Sequence, residues 1–147
     1  MPEVIIMAGN VVTPDGLVEL VEEGKVDIVK VGIGSGAACT TRLKAGVGYP
    51  QFSAVLECSK VAKEIGAHVI SDGGAVYAGD LSKAFAAKSS FVMLGSMLAA
   101  HTESPGDLIV DSNGNEFKEY YGMSSRKANE KYAGGLKSYR AAEGKVT

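Results

Sequence analysis

Cys39 is the residue in this 147-residue chain best placed by its neighbours to act as a nucleophile. It follows the glycine-rich run Gly32-Ile33-Gly34-Ser35-Gly36-Ala37-Ala38, and Arg42 comes three residues later. A loop rich in backbone N–H donors, with a cation nearby, favours the thiolate, which is the reactive form of cysteine. Four short turns rich in glycine each follow an apolar run: Gly9-Asn10, the segment 32–36, Asp72-Gly73-Gly74 and Gly95-Ser96. Glycine lets backbone N–H groups approach an anion closely, and a following helix N-terminus adds a favourable dipole, so two such turns can cradle one phosphate. Asp72 would repel a phosphate but can accept hydrogen bonds from a ribose diol. Together these residues suggest a nucleoside monophosphate; the plainer reading, that the glycines only permit tight turns, stays open.

The remaining chemistry-bearing residues narrow the choice. Cys58 falls on the stripe Ala54, Cys58, Val61, Ala62, Ile65, which reads as the buried face of a helix and makes a bridge to Cys39 unattractive. The two histidines, His68 and His101, form no zinc-ligand spacing with cysteine or carboxylates. A pairing of His101 with Cys39 is conceivable, whereas His68 opens an apolar run and reads as structural. There is no Walker-type phosphate loop, which argues against a nucleoside triphosphatase.

The elements that must position these residues alternate between strand and helix. Val4-Ile5-Ile6-Met7-Ala8 reads as a strand buried on both faces. Thr13-Pro14-Asp15 then offers an N-cap, a proline at the first helical position and an acid in the first turn, ahead of Leu17, Val18, Leu20 and Val21. Further strands are expected at 27–31, 68–71 and 91–94. Helices are expected over about 53–65 and from Gly79-Asp80 through Leu81, Ala84 and Phe85. This order builds a parallel sheet through right-handed crossovers, with at most four βα units. The segment 32–50 is a long loop of little periodicity, and long structured loops are usually functional. Beyond residue 100, Leu108-Ile109-Val110 and the run 116–121 flank Asp111-Ser112-Asn113-Gly114-Asn115 as a hairpin, and 132–147 reads as a mobile flap.

Length and composition set outer bounds. At roughly 100–200 residues per domain the chain holds about one, and it is too short for a complete eight-stranded α/β barrel, which needs about 200 at the least. Apolar residues make up 46% and charged residues 22%, ordinary values for a globular domain. A net charge of −2 gives no footprint for nucleic acid or an anionic membrane. No membrane-spanning run or secretory signal is visible, so a cytoplasmic protein is the default expectation.

Several motifs, in order, carry a specific resemblance. Gly32 to Arg42 followed by Gly46-Val47-Gly48-Tyr49-Pro50-Gln51 resembles the catalytic loop of the IMP dehydrogenase/GMP reductase family. The match extends through Ala8-Gly9-Asn10-Val11-Val12-Thr13, Ser71-Asp72-Gly73-Gly74, Val92-Met93-Leu94-Gly95, Tyr121-Gly122-Met123-Ser124-Ser125 and the run 139–145. Thr40-Thr41-Arg42 and the run 121–125 favour the reductase branch. The resemblance implies an α/β fold of the TIM (β/α)8 barrel family, with this chain covering about the fifth to eighth strands. Residues 1–147 would then form a partial barrel, with a catalytic loop at 32–50 and a hairpin and flap at 105–147.

It also implies the NADPH-dependent conversion of GMP to IMP and ammonia through a covalent bond from Cys39 to purine C2. Thr41 and Glu143 match the pair that handles protons at the leaving amine. Asp72, Gly73, Gly74, Gly95 and Ser96 match ribose and phosphate contacts, and Gly122, Met123 and Ser124 the loop that contacts the purine. Ile33, Gly34, Met123, Tyr139 and Arg140 match NADPH contacts. Gly34, Gly36, Cys39 and Arg42 match a monovalent-cation site suited to K⁺.

The chain departs from the family's pattern at Ser35, where proline is common, at Ala37 and Ala142, where serine is frequent, and at Ser96, where reductases often have glycine. Ser35 is expected to loosen the loop, and Ser96 to replace the donor lost at Ala37. Four strands leave two open sheet edges, so the chain is expected to work as a homo-oligomer, a tetramer in the family, with a complementary half-barrel chain, or within a longer protein. Two other functions compete: IMP dehydrogenase, and a non-catalytic nucleotide-binding half-barrel.

Overall fold

The computed structural model describes residues 4–147. Four parallel strands, β1 (Met7–Val11), β2 (Ile28–Val31), β3 (His68–Asp72) and β4 (Phe91–Met93), form one sheet in the order β1-β2-β3-β4. The registers Ala8↔Val29, Val29↔Val69 and Ser71↔Val92 show sequence neighbours as sheet neighbours throughout, as consecutive βα units require. The connections carry α1 (Pro14–Glu22), α2 (Thr41–Ala45), α3 (Gln51–Glu64) and α4 (Ala78–Ala86). Beyond them lie the antiparallel pair β5 (Leu108–Val110) and β6 (Glu116–Lys118), then α5 (Arg126–Tyr132).

The core lies on one face of the sheet. Val29 and Val31 of β2 and Val69 of β3 are buried against Leu17 of α1 and Ala54, Val55, Cys58 and Ala62 of α3. Strand side chains alternate, so Ile28 and Lys30 point the other way and stay only partly covered. That second face and the sheet's outer strands expose Met7, Phe91 and Met93. The stripe expected on α3 is present, and both cysteines are free.

Local signals explain most boundaries. Thr13 Oγ1 accepts the Gly16 N–H at 3.3 Å and Pro14 opens α1, as anticipated. In the hairpin, the Asp111 carboxylate accepts the N–H groups of Asn113 and Asn115, an Asx turn that fixes the loop. Asp80 accepts the Val76 and Tyr77 N–H groups ahead of α4, so it secures the helix start from its third position, with Gly79 already helical.

Four expectations need correction. The first strand starts at Met7, and Val4 and Ile5 are 61% and 71% exposed, because no strand lies beyond β1 among the described residues to bury its outer side. The segment 32–50 contains α2, whose five residues are too few to show a helical period and whose Leu43 is exposed. Helix α5 was also unforeseen, since it buries only Ala128 and Asn129 and is started by Ser125, whose hydroxyl accepts the Ala128 N–H. Of the apolar residues named on α4, Ala84 faces the interior but Phe85 is exposed.

This packing separates two residues that look alike in sequence. Leu17→Ala opens a cavity at a fully buried site and should lower stability by about 2–5 kcal/mol. Phe85→Ala removes a mostly exposed ring and should cost under about 1 kcal/mol. Urea unfolding of both variants measures the difference.

Candidate active site

The carboxyl ends of β2 and β3 bring together the turns the sequence singled out. Gly32 follows β2 with its N–H on Val11 O at 2.9 Å, and the loop then runs outward to Cys39, whose N–H returns to Gly36 O at 3.0 Å. Ser35 Oγ donates to Gln51 Oε1 at 2.7 Å, and Gln51 Nε2 donates to Val31 O at 2.8 Å. The loop is therefore pinned to the first residue of α3 at the position where serine was expected to loosen it. Gly73, at φ +113°, passes so close that a Cβ there would lie 2.3 Å from Ser35 Oγ. Its glycine is required by both conformation and space.

Side chains from two distant parts of the chain meet at Cys39. Its sulfur lies 3.2 Å from Thr41 Oγ1 and 3.5 Å from Glu143 Oε1, and the Thr41 hydroxyl donates to that same carboxylate oxygen. The Thr41 hydroxyl holds the Glu143 carboxyl below the usual carboxylate range, against partial burial, with smaller help from Cys39, the Thr40 amide and the charge of Lys44. Sulfur, hydroxyl and carboxylate in contact form a path along which one proton can be passed. Arg42 takes no part in it. Its guanidinium donates to Tyr49 O at 2.8 Å and its stem packs beside Gly34 and Gly48, so it does not act on the Cys39 sulfur as the spacing suggested. The partners of Cys39 are Thr41 and Glu143, and His101 is not among them.

Asp72 ends β3 on the same rim. Its Oδ2 receives Lys30 Nζ at 2.8 Å and Asn10 Nδ2 at 2.9 Å, and Asn10 also donates to Gly32 O at 2.7 Å. Among the described residues both of these side-chain contacts fall on Oδ2. Sequence reasoning named Asn10 only as part of a turn and gave Lys30 no role, although a single cation within Ile28-Val29-Lys30-Val31 was a usable signal. Gly95 lies against the Tyr120 hydroxyl, and Ser96 begins a short 3-10 turn.

Residues from 120–124 and 143–144 line the other side of the site. A cleft of about 230 Å³ is lined by Ala38, Cys39, Tyr120, Met123, Ser124 and Glu143. It shares Tyr120, Gly122 and Met123 with a second cleft of about 300 Å³ that reaches Gly95. The segment read as a flap is stitched down: Glu143 N–H donates to Ser124 O at 2.9 Å, Gly122 N–H to Lys145 O at 3.1 Å, and Lys145 N–H to Ala38 O at 2.8 Å. Tyr139 and Arg140 are not brought to Cys39; they lie exposed, with the guanidinium 5.9 Å from the ring centroid. A roomier cavity of about 610 Å³ lies at the opposite strand ends, by Asp27, His68 and Phe91, and holds none of these groups. Cys58 is buried, and that burial, with the charge of Glu57, pushes its thiol up to about 11, whereas Cys39 is only partly buried.

A cysteine in contact with a hydroxyl and a carboxylate, on the rim of a parallel sheet and beside glycine turns, defines an enzyme-like α/β site. Residues 1–146 match the IMP dehydrogenase / GMP reductase domain model, and the chain belongs to that family. It is 58% identical over 145 residues to GMP reductase 2 of Bos taurus, 57% to GMP reductase 2 of Homo sapiens and 55% to GMP reductase of Aliivibrio fischeri strain MJ11. Each match covers 99% of this chain and 41% of the relative, so the chain spans well under half the length of these relatives. Its fold also matches the crystal structure of a cysteine-to-alanine GMP reductase from Trypanosoma brucei in complex with guanosine 5′-monophosphate. That match has a TM-score of 0.91 and 40% identity, and covers 99% of this chain and 30% of that one.

The carboxylate contact has a pH signature. A carboxyl held below its unfolded value adds stability above that value, about 4.3 for glutamate, and loses it as pH falls through the folded value. Glu143→Gln should therefore lose less stability than the unsubstituted chain on acidification below about pH 4, as followed by thermal melts across the acid range.

Proposed function

We propose that this chain carries the covalent-chemistry half of a GMP reductase, converting GMP to IMP and ammonia in purine nucleotide interconversion. The contact among Cys39, Thr41 and Glu143 carries the reading, because it places a nucleophile and a proton path in one cleft. The Cys39 sulfur bonds to purine C2, and the bond from C2 to the exocyclic nitrogen breaks as that nitrogen takes a proton through Thr41 and Glu143. NADPH, when bound, supplies the hydride that C2 then gains. The bond from carbon to sulfur breaks and Cys39 is restored, with IMP released.

The binding residues divide by chemistry. Asp72 Oδ1 accepts from the ribose diol while Lys30 and Asn10 hold Oδ2. Gly73, Gly74, Gly95 and Ser96 surround the phosphate, with Ser96 supplying the hydroxyl that Ala37 lacks. Gly122, Met123 and Ser124 read the purine edge from the cleft that holds Cys39. The exposed ring of Tyr139 under the Arg140 guanidinium suits a phosphorylated dinucleotide, and Ile33 and Gly34 lie on the nicotinamide side. We assign a K⁺ site to the main-chain carbonyls of Gly34, Gly36, Cys39 and Arg42, neutral oxygens of the kind that suits a monovalent ion, with no carboxylate among them to favour a divalent one.

We read β1–β4 as the fifth to eighth strands of a (β/α)8 barrel, with the catalytic loop at 32–50 and the hairpin and flap at 105–147. The exposed apolar side chains of Met7, Phe91 and Met93 support this, since further strands would cover them. A complementary half-barrel or further copies of the chain would provide that cover, and a cytoplasmic homo-oligomer fits the reading. No described helix is long and apolar enough to cross a membrane.

The test is NADPH oxidation, followed by its fluorescence, on the chain alone and on the chain with a complementary half-barrel. The expected result is oxidation that requires GMP, releases ammonia and vanishes in Cys39→Ala. Reduction of NAD⁺ with IMP would instead identify a dehydrogenase, and GMP binding with no turnover in either assembly would identify a non-catalytic binding module.

A further inference from the structure

Thr40 stands immediately before α2, where a threonine hydroxyl ordinarily accepts an N–H from the helix's first turn. Here it makes no such bond, and the N–H groups of Leu43 and Lys44 go to the Thr40 carbonyl instead. The hydroxyl faces away from the helix and accepts the Gly144 N–H at 2.9 Å, across 104 residues of chain. Thr40 is also buried, at 9% exposure, so water competes little for that bond.

The bond falls beside a residue that matters. Gly144 follows Glu143, and the loop meets this segment in sequence: Ala38 O takes the Lys145 N–H, Thr40 Oγ1 the Gly144 N–H, and Thr41 Oγ1 donates to the Glu143 carboxylate. At Gly144 itself a side chain would be strained, since φ is +111° and a Cβ would lie 3.2 Å from Gly122 Cα. The segment is therefore anchored at this point through its backbone, and Thr40 supplies the acceptor.

We propose that Thr40 is a positioning residue, whose hydroxyl, through the Gly144 N–H, sets the register that brings the Glu143 carboxylate against Cys39 and Thr41. The role rests on the reading above, in which Glu143 handles the proton of the leaving amine. Valine at this position keeps the shape, removes the acceptor and leaves a partly buried N–H unpaired. The carboxylate then no longer sits beside the sulfur.

Alkylation of Cys39 by iodoacetamide, on the whole chain at fixed neutral pH, reads this without any need for turnover. Glu143→Gln removes a negative charge that repels the thiolate, so alkylation accelerates severalfold. Thr40→Val should accelerate it in the same direction, and the double variant should be no faster than Glu143→Gln alone, since both remove one interaction. Thr40→Ser should restore the original rate. A Thr40→Val rate equal to that of the unsubstituted chain, or an effect fully additive with Glu143→Gln, overturns the proposal. Should Thr40→Val not fold, amide exchange decides on the unsubstituted chain: Gly144 N–H protected, and equally so in Thr40→Ser, supports the role, while exchange at the free-peptide rate overturns it. Shielding of Cys39 by added GMP is scored separately, so a failure of the GMP reading leaves the coupling between Thr40 and Glu143 measurable.

Discussion

The contact of Glu143 with Thr41 and Cys39 joins two parts of the chain about a hundred residues apart, and the site exists only while that junction holds. A carboxylate near a thiolate is not self-sustaining, because the two repel once both are charged. The junction is held by backbone bonds around it: Glu143 N–H to Ser124 O, Lys145 N–H to Ala38 O, and Gly144 N–H to Thr40 Oγ1. Lys44 adds a bond to Ala142 O and a positive charge near the carboxylate. The close pass of Gly122 and Gly144 lets these bonds form, since either residue with a side chain would push the segments apart.

Beneath the junction, the sheet fixes where the loop begins. Val29 and Val31 are buried against α1 and α3, so β2 cannot shift by one residue without turning Lys30 into the core. The same alternation keeps Lys30 on the uncovered face, beside Asp72 at the end of β3. Register thus serves both ends of the candidate site: it places Asp72 on the rim and starts the loop at 32–50 within reach of the segment 122–145. Gln51 completes the link by tying Ser35 to Val31 O from the first turn of α3.

Much of this was legible in the residues. The βα order, the α3 stripe through Cys58, the N-cap at Thr13 and the hairpin at 111–115 follow from patterns of two to four residues that local chemistry decides. Cys39 stood out by composition alone, while Thr41 and Glu143 entered only through the family resemblance, because nothing in local pattern marks a contact across a hundred residues. Arg42 shows the opposite failure: its spacing suggested a partner for Cys39, yet its stem found a groove between Gly34 and Gly48. For Lys30, Asn10 and Thr40 the side-chain partners were not foreseen, because those partners lie on other strands or segments. The first strand was placed three residues early, since burial on both faces needs a neighbouring strand that the described residues do not supply.

A structure of the chain with GMP bound tests the arrangement most directly. Purine C2 should lie about 3–3.5 Å from the Cys39 sulfur, the near-attack range. The exocyclic amine should be within hydrogen-bond reach of Thr41 or Glu143, and the ribose diol on Asp72. GMP bound elsewhere, or held with C2 turned away from Cys39 and the amine remote from Glu143, would contradict the assignment of this junction as the reacting centre.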